Sequence, residues 1–522
     1  MPINTIRDLV KQAEDYPQSI NAFILKDELN DCQISYANLL KSVYKLASSL
    51  LNYGIKKGEK IGIMAENRVE WTVVYLSVTS LGGIIVPISI LWEPPEIDNV
   101  LKNSGMRLIF TSSRYLEKIN KAYNEDSLLE EIITFDETDT DTNYNCTVLS
   151  YSSLMASNLE IKEIDSHIFD SIELAPSDTV EILFVSTSIG VELSHHALIS
   201  NMKGILDTFD LSSEQGGMGK KMLMIIPFSH LYPTVFGILM VLMANWTLVT
   251  TSAARMDFIL RIIKGEEPDY IILVPLLLER MVNRLEARLK KRSGGLAEIG
   301  FGNTKFIFTA GVKCPENTIV KMEDMGIPVL EGYGLSEMAP FISVSSPAFH
   351  RPGSAGIRLV NVEVKIDAED EMGVGEILAR GPNLMSGYFG LTKNPADLTD
   401  KGYVFMDKDG WLHTGDLGLI DKDGFLYIKG RKRDIIVTRG GTNIYPREIE
   451  QKLMECPYIK QVKIIKKYDE VFGEAPFAII YAENIEGVDI EKAIGLELEN
   501  LGGKIASYKL PKGFELILDN NK

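Results

Sequence analysis

Short, wholly apolar runs alternate with helical patterns through the first part of the chain: KIGIMA at 60–65, GIIVPISI at 83–90, RLIFTS at 107–112, EILFVST at 181–187, KMLMIIP at 221–227, YIILVP at 270–275 and KFIFTAG at 305–311. Strands that are apolar on both faces and separated by helices predict a parallel sheet covered on both sides. From about Pro352 the pattern shifts to shorter strands punctuated by glycine, VEVKIDA at 362–368, GEILARG at 375–381 and GFLYIKG at 424–430, which predicts an antiparallel β unit. After Gly430 comes the basic stretch RKRDIIVTRGG, then a helix predicted to open at Pro446 with Glu448 and Glu450 in its first turn. The expected fold class is therefore α/β: a large N-terminal domain over 1–430 with parallel-type sheets, helices and a β unit, followed by a small α+β domain over 431–522.

Two uncharged runs, Thr72 to Trp92 and Met222 to Ala254, are long enough to be weighed as membrane spans, which need about 20 apolar residues. Gly82, Gly83 and Pro87 make the first an amphipathic helix, a turn and a buried strand. Pro227, His230, Pro233 and Asn245 break the second into strand, loop, helix and strand. No membrane span is expected. With 45% hydrophobic and 24% charged residues the composition is that of a globular protein, and a net charge of -18 argues against a nucleic-acid partner. The four cysteines, Cys32, Cys146, Cys314 and Cys456, are widely separated, without CxxC spacing, and imply a reducing compartment. The N-terminus has early acidic residues and no apolar core of a secretory signal, so the expected location is the cytoplasm.

The chemistry-bearing residues lie in two places. EGYGLSE at 331–337 sets an aromatic, two glycines, a hydroxyl and a carboxylate after the apolar run IPVLE, and it also reads as a strand-end turn with an exposed acid. Downstream, GWLHTGDLGLIDKDGFLYIKGRKRDIIVTRGGTNIYPREIE spans Gly410 to Glu450. As an ordered set at this spacing, these motifs resemble the acyl-adenylate-forming (AMP-binding) enzymes, a superfamily similar to acyl-CoA synthetases. The resemblance runs from GEKIGIMAENRVEW at 58–71 to residue 520.

The resemblance implies an ATP-dependent acid–thiol ligase that uses Mg²⁺, forms acyl-AMP with release of pyrophosphate, and passes the acyl group to CoA. It implies an active site at the junction with a small domain that rotates between the two half-reactions. Tyr333 would stack on adenine within the nucleotide-contacting stretch Glu331, Gly332, Tyr333 and Gly334, with Gly311 packing beside the base; Ser336 would bond the α-phosphate and Glu337 would hold Mg²⁺. Asp416 would chelate the ribose diol and Arg431 would add a second ribose contact. Arg433 stands at the hinge position, where the family usually has Asp or Lys. Gly440 and Gly441 would approach the pantetheine tunnel, and His230 in PFSHLY would orient the carboxylate rather than abstract a proton. GEILARGPNLMSGY at 375–388 also fits and reads as structural.

In two places the pattern departs. Where the family has a phosphate loop of the type TSGTTGxPKG, this chain reads FVSTSIGVELSHH, so Thr187 and Ser188 flank a cradle about six residues short, and Ile189 stands near the position of its lysine. A deletion, a sequence written only from ordered residues, and a degenerate enzyme each account for this, and the clean register favours omitted residues. Toward the end, SYKLPKGFELILDN resembles the lead-in to a PxTxxGK run whose lysine would serve adenylation, and Lys522 is not assigned that role. Two other functions stay open: an acyl-AMP ligase that loads the phosphopantetheine of a separate carrier protein, and a nucleotide- or acyl-binding protein without catalysis. The apolar run around Pro227 to Met243 points to an apolar acid, a fatty acid ahead of an aromatic one. Oligomeric state is not readable.

Overall fold

The computed structural model describes residues 3–27, 31–124, 126–137, 144–156, 166–169, 171–186, 189–210, 219–253, 255–290, 295–390, 404–434, 436–437, 443–444, 446–469, 473–485, 488–501, 505 and 509–519. By contact the chain forms two compact units: Met1–Glu363 with Gly381–Lys393, and Val364–Arg380 with Asn394–Lys522.

The larger unit holds two predominantly parallel sheets. In the nine-stranded sheet the parallel core runs Asn21–Leu25, Thr247–Thr250, Lys221–Met224, Tyr270–Leu273, Phe306–Ala310, Val329–Gly334. Antiparallel strands close it, Cys32–Ser35 on one side and Phe341–Val344 with Ile357–Arg358 on the other. The eight-stranded sheet runs Gly387–Phe389, Ile189–Ser194, Thr179–Ser186, Ile84–Pro87, Lys60–Met64, Leu108–Thr111, Glu131–Thr134, Thr147–Ser150. All seven apolar runs of the first part are strands, and their near-complete burial is what sheets covered on both faces require. The helix expected within Thr72 to Trp92 is not amphipathic. Over Val69–Ser80 all but one residue are buried, because it packs against the helices Ile6–Gln12 and Tyr36–Asn52 while the sheet lies behind it. Among the described residues no helix is long and apolar enough to cross a membrane.

Around the shortened segment, Thr179–Ser186 and Ile189–Ser194 pair antiparallel up to Ser186 opposite Ile189. In the sequence only Thr187 and Ser188 separate the two strands.

The smaller unit contains an antiparallel sheet in which Leu412–Ile420 is flanked by Gly375–Arg380, Phe405–Met406 and Leu426–Arg431. Its last part sets the helices Pro446–Leu453 and Ile490–Leu501 against the three-stranded sheet Ile459–Asp469, Gly473–Glu483, Phe514–Asp519 around a core of its own. The antiparallel unit and the helix at Pro446 are as expected.

One buried acid in the larger unit stands apart from the chemistry. Glu181 on Thr179–Ser186 is wholly buried and accepts a 2.9 Å hydrogen bond from the Tyr75 hydroxyl. Burial pushes its pKa up to about 7. A carboxyl whose folded pKa is raised favours the fold while protonated, and that stabilisation is lost as pH rises from the unfolded value near 4.3 through 7. Glu181→Gln, which can still accept from Tyr75, removes this loss. Denaturant titrations of both proteins should show the variant gaining on wild type by up to about 3 kcal/mol between pH 4.5 and 8; a pH-independent difference would contradict the assignment.

Candidate active site

In the larger unit the candidate residues gather at the carboxyl ends of two adjacent parallel strands, Phe306–Ala310 and Val329–Gly334. Gly311 follows the first with φ of +94°, a conformation that favours glycine. Gly332 and Gly334 end the second for reasons of space. A Cβ on Gly332 would meet the Phe308 ring at 2.5 Å, and one on Gly334 would meet the Pro340 carbonyl oxygen at 1.8 Å. Glu331 is buried, and its carboxylate accepts hydrogen bonds from the backbone N–H of Cys314, at 3.4 Å, and of Gly353. Burial raises its pKa to about 7. Glu331 therefore fastens the loop that carries Gly311.

After Gly334 the chain makes a short 3-10 turn, Ser336–Met338. Glu337 is 9% exposed, so it is not the exposed turn acid that the motif alone allowed. Its Oε1 accepts a 2.8 Å hydrogen bond from the Tyr388 hydroxyl. Two buried asparagines hold the turn behind it. Asn201 Nδ2 donates to the carbonyls of Met338 and Phe341 at 3.3 and 2.8 Å, and Asn383 Nδ2 donates to the same two at 2.6 and 2.9 Å.

His230 precedes a short helical turn, and Tyr232 beyond it packs edge-on to Phe341 and Phe308, with ring centroids 5.4 and 6.1 Å apart. This brings the PFSHLY loop against the strands that flank Gly332. The His230 side chain is open to solvent while protein crowds around it, and that desolvation lowers its pKa. Asn67 ties the loop down. Its amide donates to the Ile226 carbonyl and to Thr250 Oγ1, both at 3.0 Å, and its Oδ1 accepts from Phe228 N at 2.9 Å.

In the smaller unit, Asp416 and Arg431 are cross-strand partners, and Arg431 Nε lies 2.8 Å from Asp416 Oδ1. Arg431 also donates to the Thr414 carbonyl at 3.3 Å. Asp416 is 5% exposed and its backbone N–H donates to Thr414 Oγ1 at 3.1 Å. Glu376 organises the HTGD stretch of the strand Leu412–Ile420: Oε1 accepts from Gly415 N at 3.1 Å, and Oε2 accepts from Lys432 Nζ at 2.7 Å and lies 3.4 Å from His413 Nδ1. The His413 ring stacks on Phe405 with centroids 4.3 Å apart.

Comparison with known proteins shows the family. The family profile described as AMP-binding enzyme matches residues 9–389. The chain belongs to the AMP-binding enzyme family. It is 29% identical over 490 residues to an indoleacetate–CoA ligase of Aromatoleum aromaticum, covering 92% of this chain and 88% of that protein. It is 24% identical over 517 residues to the long-chain-fatty-acid–CoA ligase FadD13 of Mycobacterium tuberculosis, covering 97% and 93%. The solved structure of ATP-bound MatB from Rhodopseudomonas palustris has the same fold, with a TM-score of 0.78 at 21% identity over 99% of this chain and 95% of that one. As a member of this family the chain is an AMP-forming acid–thiol ligase of the acyl-CoA synthetase type.

Of the residues singled out in the sequence, the larger unit brings together Gly311, Glu331, Gly332, Tyr333, Gly334, Ser336 and Glu337, with the His230 loop packed beside them. The smaller unit pairs Asp416 with Arg431. Thr187, Ser188, Gly440, Gly441 and Lys522 lie outside the described residues, as does the Arg433 side chain. Among the described residues no three His, Cys, Asp or Glu side chains converge as a metal cluster. Glu337 alone still fits Mg²⁺, which is commonly held by one or two carboxylates together with substrate phosphates.

Reading the sequence missed Asn67, Asn201, Glu376 and Tyr388, whose roles arise from partners far along the chain. Glu376→Ala would leave the Gly415 N–H and Lys432 without that acceptor. A loss of about 1–3 kcal/mol in denaturant unfolding is expected, together with weaker AMP binding in calorimetry. Glu376→Gln, which keeps an acceptor for Gly415, should recover most of the stability.

Proposed function

We propose that this enzyme activates an apolar carboxylic acid, a fatty acid in the first instance, as acyl-AMP with release of pyrophosphate, and then transfers the acyl group to CoA in the cytoplasm. The observation that carries the reading is the Asp416–Arg431 pair, a buried carboxylate fixed by a neighbouring guanidinium at 2.8 Å. A short carboxylate held in this way suits a vicinal diol such as ribose. Tyr333 would stack on adenine beside Gly311, Ser336 would bond the α-phosphate, Glu337 would hold Mg²⁺ and His230 would orient the acid. Bound there, Mg²⁺ would offset the negative charge that opposes attack of a carboxylate on a phosphate. Thr187 and Ser188 would border the phosphates, Gly440 and Gly441 the thiol's approach, and Arg433 would be the pivot between the segments 1–430 and 431–522. The names of the curated relatives favour CoA over carrier-protein phosphopantetheine as acceptor.

A second reading is favoured by one observation. Strand pairing that reaches Ser186 opposite Ile189 uses backbone groups in the ladder and leaves Thr187 and Ser188 alone where the family has a glycine-rich phosphate cradle with a lysine. In this reading the protein holds the adenylate level of the substrate and does not grip the pyrophosphate of ATP.

Incubation with ATP, Mg²⁺, CoA and a panel of fatty and aryl acids, scored for acyl-CoA and AMP, separates the two. The leading reading predicts both products and exchange of labelled pyrophosphate into ATP. The second predicts no exchange but CoA acylation from chemically prepared acyl-AMP. Asp416→Ala is expected to lower kcat/KM for ATP by about 10–100-fold, the loss of charge-assisted hydrogen bonds to the diol. An unchanged kcat/KM would remove Asp416 from the nucleotide site.

A further inference from the structure

The segment 383–389 grips Glu337 at both ends. Met385 N donates to the Glu337 backbone carbonyl at 2.8 Å, and the Tyr388 hydroxyl donates to Glu337 Oε1 at 2.8 Å. The same segment is fixed on either side of these contacts. Asn383 bonds the carbonyls of Met338 and Phe341, and Ser386 N donates to Glu192 O at 2.9 Å. Tyr388 lies at the centre of the strand Gly387–Phe389, in register with Ile189–Ser194 through Gly387 opposite Glu192, Tyr388 opposite Val191 and Phe389 opposite Gly190. Its phenol is thus delivered by a strand locked in a sheet, not by a free loop.

The final torsion of a glutamate side chain is broad, so a carboxylate without a fixed donor samples many orientations. Mg²⁺ demands near-ideal octahedral geometry, so an incorrectly turned oxygen costs affinity directly. An ionised carboxylate has about four acceptor positions, so a hydrogen bond from a hydroxyl is compatible with a cation on the same group. We propose that Tyr388 is the positioning residue that sets the orientation of the Glu337 carboxylate for the metal that accompanies the nucleotide. The inference rests on reading Glu337 as the metal-facing carboxylate.

Calorimetric ATP titrations of the full chain, in EDTA and again in excess Mg²⁺, test it for wild type, Tyr388→Phe and Glu337→Gln, with the melting temperature of each measured alongside. The Mg²⁺-dependent gain in ATP affinity is the readout, because a general packing role would move both conditions equally. Tyr388→Phe should bind ATP like wild type in EDTA and about ten-fold more weakly in Mg²⁺, the size typical of losing a partner that orients a metal ligand. Glu337→Gln should lose the Mg²⁺ gain altogether. If Glu337→Gln loses the gain and Tyr388→Phe keeps it, the positioning role is wrong and the metal reading stands. If Glu337→Gln keeps it, the metal reading fails and the proposal with it. Equal weakening of Tyr388→Phe in both conditions, or a wild type that binds ATP no better with Mg²⁺ than without, also overturns it.

Discussion

A parallel strand buried on both faces must hand its last backbone groups to partners that water cannot supply, and the larger unit is organised around that constraint. Beyond Gly332 the chain leaves the parallel ladder. The Glu331 carbonyl accepts from Ser345 N at 2.7 Å, and Leu335 N donates to Pro340 O at 2.9 Å. The carbonyls of Met338 and Phe341 are each satisfied by two asparagine amides. Because these bonds are made inside the protein, the turn between them is rigid, and the side chains of Ser336 and Glu337 are presented from a fixed frame. Gly334 follows from the same constraint, since Pro340 O approaches too closely for any Cβ.

The smaller unit solves the problem with one buried acid. Glu376 is 6% exposed, and burying a carboxylate is costly unless donors surround it. Those donors are the Gly415 N–H and the Lys432 ammonium, with the His413 ring adjoining. The result is that the residues flanking Asp416 and Arg431 are tied to a single point. The pair is therefore preorganised, which is what a site for a polar ligand needs if binding energy is not to be spent on ordering it.

The repeating elements were legible in the sequence because periodicity and burial are local. Seven apolar runs read as strands, and so did the glycine-punctuated strands after Pro352. The helix Val69–Ser80 was read with the wrong face structure, since nothing within its own span says that neighbours cover it on all sides. Candidate site residues were legible where a motif sets them close together, as with Tyr333, Ser336 and Glu337, or Asp416 in HTGD. What escaped was the support. GEILARGPNLMSGY read as structural, and it carries both Glu376 and Tyr388, whose partners stand 39 and 51 residues away. Asn67 reaches Phe228 across 161 residues. No spacing rule encodes such contacts; the fold creates them.

The central claim is that a carboxylate oxygen of the substrate attacks the α-phosphate of ATP, and isotope transfer tests it most directly. A substrate acid labelled with ¹⁸O in both carboxylate positions is turned over with ATP, Mg²⁺ and CoA, and the nucleotide product is examined by mass spectrometry. The account predicts AMP carrying a single ¹⁸O, left behind when the thiol displaces the acyl group. Unlabelled AMP, or label recovered in inorganic phosphate with ADP as the nucleotide product, would contradict it.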